Sequence, residues 1–181
     1  SITFDGTDFG FGYNWRWFTS HRCFGGENMG IFTDLTVREN MVLAATDGPM
    51  DSARLDWIFN LFLPLKTFWD MPAGNLSGGQ KQMLSVARAV IEPRRLILID
   101  EPTKGLAPAI IKSMTAALAE LAKTDTTILL VEQNFAMARS LGQTVSVMDD
   151  GRIVHSGLMA ELAADSALQE KLMGLSLEAH Q

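Results

Sequence analysis

Leu96–Pro102 reads LILIDEP, a run of four apolar residues followed by two acids and a proline. An all-apolar run of this length is typical of a strand that is covered on both faces of a parallel sheet. A helix is predicted from Pro108, since apolar residues follow at helical spacing (Ile111, Met114, Leu118 and Leu121). Thr127–Val131 is predicted to be a second buried strand, since Ile128–Val131 is again an apolar run. The order strand, helix, strand with short links predicts an α/β fold on a parallel sheet.

Upstream of this run, capping residues and apolar spacing predict three helices. Thr36–Ala45 begins with a capping box and continues as a short helix. Residues 51–63 have an apolar face, and this helix is expected to end at Pro64 because proline disrupts a helix interior. Ser77 is well placed to cap a third helix that continues to about Ile91.

Downstream, the alternation of helix and strand signals continues, and we expect a third strand of the parallel sheet. The predicted elements are a helix capped by Asn134 that ends near Ser140, the strand Val145–Met148, a hairpin that turns at Asp150-Gly151 into Arg152–His155, and helices at about 158–164 and 166–174.

The composition excludes several functional classes. With 181 residues, 47% apolar and 20% charged, the chain is typical of one soluble globular domain. Its net charge of −6 disfavours a partner held by phosphate neutralisation, so we predict no nucleic-acid partner. The single cysteine, Cys23, cannot form an internal disulfide, and no apolar run approaches the roughly 18 residues of a membrane span.

Two segments carry the chemistry. Leu76–Gln80 reads LSGGQ, and two glycines after a serine at a helix start expose N–H groups and a hydroxyl to an anion at the positive end of the helix dipole. The same pattern could equally be a simple capping turn. Asp100 and Glu101 follow a buried strand, where open α/β sheets bind ligands. One carboxylate can hold Mg²⁺ through water and the other can activate an attacking water, although both could merely solvate the strand end.

Together these segments resemble the ABC-transporter ATPase family. LSGGQ is similar to its signature motif, and LILIDEP to its Walker B strand with the catalytic glutamate. Further similar segments are Glu27–Asn40 around the Q-loop, Thr103–Pro108 at the D-loop, Ile128–Asn134 at the switch-histidine strand and Asp150–Val154 in the hairpin that closes the core. The sequences GLAP and VEQN are most similar to ATPase subunits of branched-chain amino acid importers and their urea or amide relatives.

The resemblance implies a P-loop NTPase-like ABC ATPase domain, with a mostly parallel sheet and a helical subdomain. It covers about residues 27–175. The implied divisions are 1–40 for a partial N-terminal strand region and the Q-loop segment, 41–75 for the helical subdomain, 76–156 for the core with the signature, Walker B, D-loop and switch strand, and 157–181 for C-terminal helices.

ATP and Mg²⁺ are the cofactors that the resemblance implies, with ATP held between two subunits arranged head to tail. Asp100 would bind Mg²⁺ through water, Glu101 would activate the attacking water, and Gln133 would sense the γ-phosphate. The residues implied to bind nucleotide are Ser77, Gly78, Gly79, Gln80 and Glu27.

The resemblance also implies partners and a location. The partners would be a second ABC ATPase subunit and transmembrane permease subunits, on the cytoplasmic, inner face of the cell membrane. We expect the segment between Glu27 and Leu76 to receive the permease helices through Trp57, Phe59 and Phe62, which also pack the helical subdomain.

Several departures from the family pattern matter. Glu27 stands where the Q-loop has Gln, and Gln133 stands where the switch has His. No Gly-x-x-x-x-Gly-Lys-[Ser/Thr] occurs in the 181 residues, and Ile2–Asp8 resembles the strand just after the P-loop helix. We therefore expect that the chain was cut before Ser1, and that alone it neither binds ATP with normal affinity nor hydrolyses it.

Residues 9–26 match neither the family nor a regular period, although they hold seven aromatic residues. They are either a sequence artefact, such as a local frameshift, or a specialised aromatic loop. Mass spectrometry of the tryptic peptides 17–22 and 23–38 distinguishes the two, because an artefact would give masses other than those of the printed sequence.

Two alternative functions share these motifs. A non-transport ABC ATPase of DNA repair has the same signature and Walker B strand, but such proteins carry long coiled-coil or zinc insertions, and only 48 residues separate Glu27 from Leu76 here. A non-catalytic fragment would retain only the fold and a dimer-interface role.

Overall fold

The computed structural model describes residues 2–4, 7–9, 22–23, 30–46 and 48–178, and the chain divides into two compact units, Ser1–Val131 and Glu132–Gln181. In the first unit the helices are α1 (Val37–Ala44), α2 (Ser52–Leu61), α3 (Leu63–Thr67), α4 (Gly78–Val90) and α5 (Pro108–Leu121), with a 3-10 turn at Ala73–Asn75. Its strands are β1 (Ile2–Phe4), β2 (Thr7–Phe9), β3 (Arg22–Cys23), β4 (Leu96–Asp100) and β5 (Thr127–Val131). The domain divisions that the resemblance implies stay predictions.

The LILIDEP run forms the central strand of a parallel sheet, as predicted. The described strand order is β3, β4, β5, with Leu98 opposite Leu129 in the register. Ile97 and Ile99 are each only 1% exposed. The prediction that Thr127–Val131 is also buried is wrong, because Leu129 and Val131 are 46% and 55% exposed. Cys23 of β3 lies opposite Ile99 on the other edge of β4. Burial of the apolar run therefore places Asp100 and Glu101 at the carboxyl end of a fixed central strand.

The start of the chain differs from the single strand that Ile2–Asp8 resembles. β1 and β2 pair antiparallel, with Ile2 opposite Phe9. The sequence between them is Asp5-Gly6, a dipeptide that favours hairpin turns.

The predicted capping box at Thr36 is confirmed. Its hydroxyl accepts a hydrogen bond from the Glu39 N–H (3.2 Å), and the Glu39 carboxylate accepts one from the Thr36 N–H (2.7 Å). These hydrogen bonds hold the pKa of Glu39 below its usual value.

The prediction of one helix over residues 51–63 that ends at Pro64 is wrong. Helix α2 ends at Leu61, and α3 begins at Leu63 with Pro64 in its first turn. Proline is tolerated there because the first N–H groups of a helix have no intrahelical partner. Phe62 between the two helices is 1% exposed and packs in the core.

Helix α4 forms the centre of the first unit. It is contacted by α1 and α3, and most of its length is buried. The side chains it buries are Gln82, Met83, Leu84, Ser85, Val86, Ala87, Ala89 and Val90. Burial on this scale fixes the position of its N-terminus, where the LSGGQ segment lies.

The segment before α1 is held by one buried side chain, Asn40, which is 0% exposed. Its Oδ1 accepts a hydrogen bond from the Phe32 N–H (2.9 Å). Its Nδ2 donates to the carbonyls of Phe32 (2.9 Å), Leu35 (3.3 Å) and Thr36 (2.9 Å). One buried amide thus links the backbone groups of three residues in the turn that enters α1.

The second unit contains α6 (Phe135–Leu141), β6 (Thr144–Asp149), β7 (Arg152–Leu158), α7 (Met159–Ala164) and α8 (Ser166–Glu178). Asn134 caps α6 through its side chain, and β6 and β7 form the predicted hairpin. Within this unit the predicted Val145–Met148 strand is part of β6, which pairs antiparallel with β7. That it extends the parallel sheet stays a prediction. Among the described residues, no helix has both the length and the hydropathy needed to cross a bilayer.

Candidate functional site

The LSGGQ segment forms a capped helix start. The Ser77 hydroxyl accepts a hydrogen bond from the Gln80 N–H (3.3 Å), and Gln80 Oε1 accepts one from the Ser77 N–H (2.8 Å). Leu76 anchors the turn because it is only 4% exposed. The N–H groups of Gly78 and Gly79, which are the first two residues of α4, have no carbonyl partner within the helix. This end of the helix therefore offers two backbone donors and the Ser77 O–H to an anion.

The two glycines of this turn have different surroundings. A Cβ atom on Gly78 would meet nothing within 4 Å, so this face of the turn is open. A Cβ atom on Gly79 would lie 2.9 Å from Ile110 Cγ2 and 3.1 Å from Ile110 Cγ1. Gly79 therefore permits the close approach of α4 to the first turn of α5.

Gly79→Ala is expected to lower the free energy of unfolding by about 1–3 kcal/mol, because the added methyl group forces α4 away from the stiff Ile110 side chain. Gly78→Ala in the same turn is the matched control and should change it by less than about 0.5 kcal/mol. Urea denaturation of both variants measures the difference. Adding Ile110→Ala to the Gly79→Ala variant should recover part of the loss. Equal destabilisation by the two glycine substitutions would contradict this account.

The second part of the site is the carboxyl end of β4. Asp100 is the last residue of the strand and is exposed. Glu101 has a φ of 43°, in the left-handed region that non-glycine residues rarely adopt. The Glu101 N–H donates to the carbonyl of Val131 on β5 (2.9 Å), which fixes this turn to the neighbouring strand. Unusual backbone of this kind is found preferentially at functional sites.

An ion pair lies beside these carboxylates. Lys104 Nζ is 2.6 Å from Glu101 Oε2, and the Lys104 N–H donates to the Glu101 carbonyl (3.2 Å). The hydrogen bond and charge of Glu101, with a smaller contribution from the charge of Asp100, raise the pKa of Lys104. Sequence reasoning missed this pair, although the Glu-x-x-Lys spacing of residues 101 and 104 is a signal that could have found it.

The two parts of the site belong to one unit and meet through packing. Ile110, which contacts the backbone of Gly79, lies in the first turn of α5, and α5 begins eight residues after Asp100. The turn from Glu101 to Lys104 contains Pro102 and Thr103, which are both buried. The connection between the signature turn (Leu76–Gln80) and the carboxylate turn (Asp100–Lys104) is thus packed at Pro102, Thr103 and Ile110, while most of residues 104–109 are exposed.

The other predicted site residues lie elsewhere. Gln133 belongs to the second unit, where its side chain is exposed. Next to it, Glu132 Oε1 accepts a hydrogen bond from the N–H of Asn134, the cap of α6. Glu27 lies outside the described residues, as do nearly all of residues 9–26. The roles predicted for all these residues stay predictions.

A bound Mg²⁺ fits the donors at the end of β4. Within the described ranges, no group of three or more His, Cys, Asp or Glu residues could form a metal cage. Mg²⁺ does not need one, because it usually keeps several waters and takes one or two carboxylates together with phosphate oxygens. The exposed carboxylate of Asp100 is a donor of that kind.

The predicted permease-facing aromatic residues are only partly at the surface. Phe62 is buried in the core, which corrects its expected place on a docking surface. Trp57 and Phe59 are half-buried, and Phe59 packs edge-on against Trp69 with ring centroids 5.0 Å apart. The exposed large apolar side chains of this region are Phe32, Val42, Leu43 and Leu63.

Comparison with known proteins gives consistent results. Among curated proteins, the chain is 35% identical over 150 residues to the high-affinity branched-chain amino acid transport ATP-binding protein BraG of Pseudomonas aeruginosa, with 82% of this chain and 64% of that protein covered. It is 32% identical to the probable branched-chain amino acid transport ATP-binding protein LivF of Archaeoglobus fulgidus, with 80% and 63% covered. The chain thus spans just under two thirds of the length of these relatives.

Solved structures share the fold. The ATP-binding cassette MJ1267 of an ABC transporter, in its ADP conformation, matches with a TM-score of 0.59 at 24% identity, covering 78% of this chain and 64% of that chain. An ATP-binding subunit of an ABC transporter matches with a TM-score of 0.64 at 24% identity, covering 79% and 62%. These matches confirm the predicted ABC ATPase fold of the P-loop NTPase type.

A family model settles the classification. The model described as ABC transporter matches residues 1–104, which contain the signature turn, the β4 strand and both carboxylates. The match covers more than half of the chain and agrees with the resemblance that the motifs carry. The chain therefore belongs to the ABC transporter family.

Proposed function

We propose that this chain is part of the ATP-binding and ATP-hydrolysing subunit of an ABC importer for branched-chain amino acids. One observation carries the proposal: a single compact unit presents an open helix start at Ser77 and Gly78 and two carboxylates at the carboxyl end of β4. The helix start suits nucleotide phosphates, and the carboxylates suit a metal ion and an attacking water. The names of the two branched-chain amino acid transport relatives support the solute class.

In the proposed mechanism, two ATPase subunits close head to tail, and each signature turn binds the nucleotide held by the other subunit. The Ser77 O–H and the N–H groups of Gly78 and Gly79 donate to γ-phosphate oxygens, which the positive end of the α4 dipole also favours. Gln80 keeps the turn in shape through its hydrogen bond to the Ser77 N–H. ATP thereby stabilises the closed pair, and hydrolysis lets it reopen.

The carboxylates at the end of β4 have separate roles. Asp100 would hold Mg²⁺ through water, and the ion would supply positive charge against the phosphates when bound. Glu101 takes the proton of the attacking water. Glu27 and Gln133 hydrogen-bond the γ-phosphate or the water, and the Gln133 amide does so without transferring a proton.

The proposed partners are a second ABC ATPase subunit and the transmembrane permease subunits. Half-exposed apolar side chains on α1 and at the start of α3 support a permease-facing surface, since Val42, Leu43 and Leu63 are 51%, 53% and 65% exposed. With these partners, the proposed location is the cytoplasmic face of the cell membrane.

The 181-residue chain alone is expected to show no ATPase activity above background, because it contains no P-loop motif to hold the phosphates. A phosphate-release assay with ATP and Mg²⁺ measures this. As a comparison we define the P-loop-extended chain, in which the P-loop-bearing N-terminal segment of a related ABC ATPase is joined to Ser1. Activity in the 181-residue chain that disappears in Glu101→Gln would overturn the expectation.

The signature role is tested in trans. An ABC ATPase subunit with a P-loop but a disabled signature serine should hydrolyse ATP only when another subunit supplies a signature turn. Adding this chain should raise the rate of that subunit at least about tenfold, because the oriented donors of the signature turn stabilise the negative charge that develops on the phosphate in the transition state. Ser77→Arg should abolish the restoration, whereas Ser52→Arg on the exposed start of α2 should not. No restoration by the unmodified chain would favour a non-catalytic fragment instead.

A further inference from the structure

We propose that Lys104 is a positioning residue, which holds the Glu101 carboxylate in a fixed orientation at the end of β4. The inference rests on the proposed role of Glu101 as the base of ATP hydrolysis. Lys104 belongs to the D-loop segment, Thr103–Pro108, and its side chain lies beside the Glu101 carboxylate.

Hydrogen bonds on both sides of Glu101 fix its backbone. Its N–H is bonded to Val131 on β5, its carbonyl accepts from the Lys104 N–H, and its φ is 43°. Pro102 restricts the intervening turn, and Thr103 is only 5% exposed. The starting point of the Lys104 side chain is therefore fixed relative to Glu101.

The side-chain contact completes this arrangement. Lys104 Nζ lies 2.6 Å from Glu101 Oε2, so backbone and side chain of one lysine both bind the same glutamate. A free glutamate side chain populates several rotamers, and a charge-assisted hydrogen bond selects those that reach the lysine. The Lys104 ammonium thus binds a defined carboxylate oxygen, Oε2, of Glu101.

The exposure of the Lys104–Glu101 pair shows whether the pair stabilises the fold or only orients the carboxylate. The Lys104 side chain is 73% exposed and that of Glu101 is 21% exposed. Ion pairs this open to solvent contribute little to folding, so removing the lysine should leave the fold intact. The chain offers a matched control, because Lys123 and Glu120 form another i,i+3 pair at 2.6 Å with side chains 68% and 51% exposed, well away in sequence from the carboxylate turn.

The first experiment tests the contact in the 181-residue chain itself, without nucleotide. Lysines are ¹³C-methylated and titrated by NMR, with the Lys104 signal assigned by its loss in Lys104→Met. Since Glu101 raises the pKa of Lys104, the midpoint should fall in Glu101→Gln and stay unchanged in Glu120→Gln. A Lys104 midpoint that is the same in the unmodified chain and in Glu101→Gln would overturn the proposal.

The second experiment measures turnover in the P-loop-extended chain. Lys104→Met should lower kcat about three- to tenfold while KM changes less than about twofold, because orientation of the base is lost and nucleotide binding is not. Lys104→Arg should keep at least about half of the rate, since a guanidinium can also bind the carboxylate. Lys123→Met should leave kcat unchanged.

The outcomes distinguish this inference from the proposed function. An unchanged or raised kcat in Lys104→Met, while Glu101→Gln still abolishes turnover, would overturn the positioning role alone. Turnover that survives Glu101→Gln would overturn the role of Glu101 as base, and with it the assignment of Lys104.

Discussion

Replacing Asn40 with alanine is expected to lower the free energy of unfolding by about 2–4 kcal/mol. The wild-type amide is 0% exposed and serves one backbone N–H and three carbonyls at 2.9–3.3 Å. Alanine would remove the acceptor of the Phe32 N–H, whereas the carbonyls of Phe32, Leu35 and Thr36 keep backbone donors. A buried donor without a partner costs about 1–3 kcal/mol, and the cavity left by the buried amide adds to that cost. Water that replaces part of the lost hydrogen bonding keeps the expected loss in the free energy of unfolding below the sum of these costs.

The measurement is urea denaturation, with Asn60→Ala as the matched control. Asn60 is exposed on α2, so its loss should change the free energy of unfolding by less than about 0.5 kcal/mol. Amide hydrogen exchange provides a second reading, because the Phe32 N–H should lose protection in Asn40→Ala before the core of α4 does. Equal stabilities for the two variants would show that Asn40 does not hold this turn.

Local signals explain why much of the fold could be predicted from the sequence. The β4 strand is an uninterrupted apolar run, and α4 begins with a serine and a glutamine at capping-box spacing. Both features depend on residues close in sequence, so their outcome hardly depends on the rest of the chain. The position of Ser77 at a helix start and that of Asp100 at a strand end were predictable for the same reason, while their roles stay predictions.

Tertiary packing decided the features that could not be predicted. Phe62 had a surface role in the prediction, but it lies between α2 and α3 and is only 1% exposed. The break at Pro64 begins a helix instead of ending one. The difference in surroundings between Gly78 and Gly79 depends on Ile110, a residue more than thirty positions away. Neither the burial of Asn40 nor the contact between Gly79 and α5 has a signature in local spacing.

Glu101→Gln is expected to reduce the turnover of the P-loop-extended chain by about 10²–10³-fold. The amide is close to isosteric with the carboxylate but cannot accept a proton, and general bases typically contribute 10²–10⁴-fold. Nucleotide affinity should stay within about threefold, because in the proposed mechanism Asp100 and the helix start at Ser77 bind the metal and the phosphates. The fall should therefore lie in kcat, with little change in KM.

Glu120→Gln is the matched control for this substitution. It removes a carboxylate that also pairs with a lysine three residues on, at the same 2.6 Å, so it reproduces the change in charge and the lost ion pair. It should leave kcat within about twofold, since Glu120 lies near the end of α5, well away in sequence from the carboxylates that follow β4. Pre-steady-state phosphate release for both variants tests whether the chemical step itself is slowed. If Glu101→Gln retained more than about a third of the wild-type kcat, the base would have to be another residue, because losing the general base cannot leave the chemical step so nearly intact.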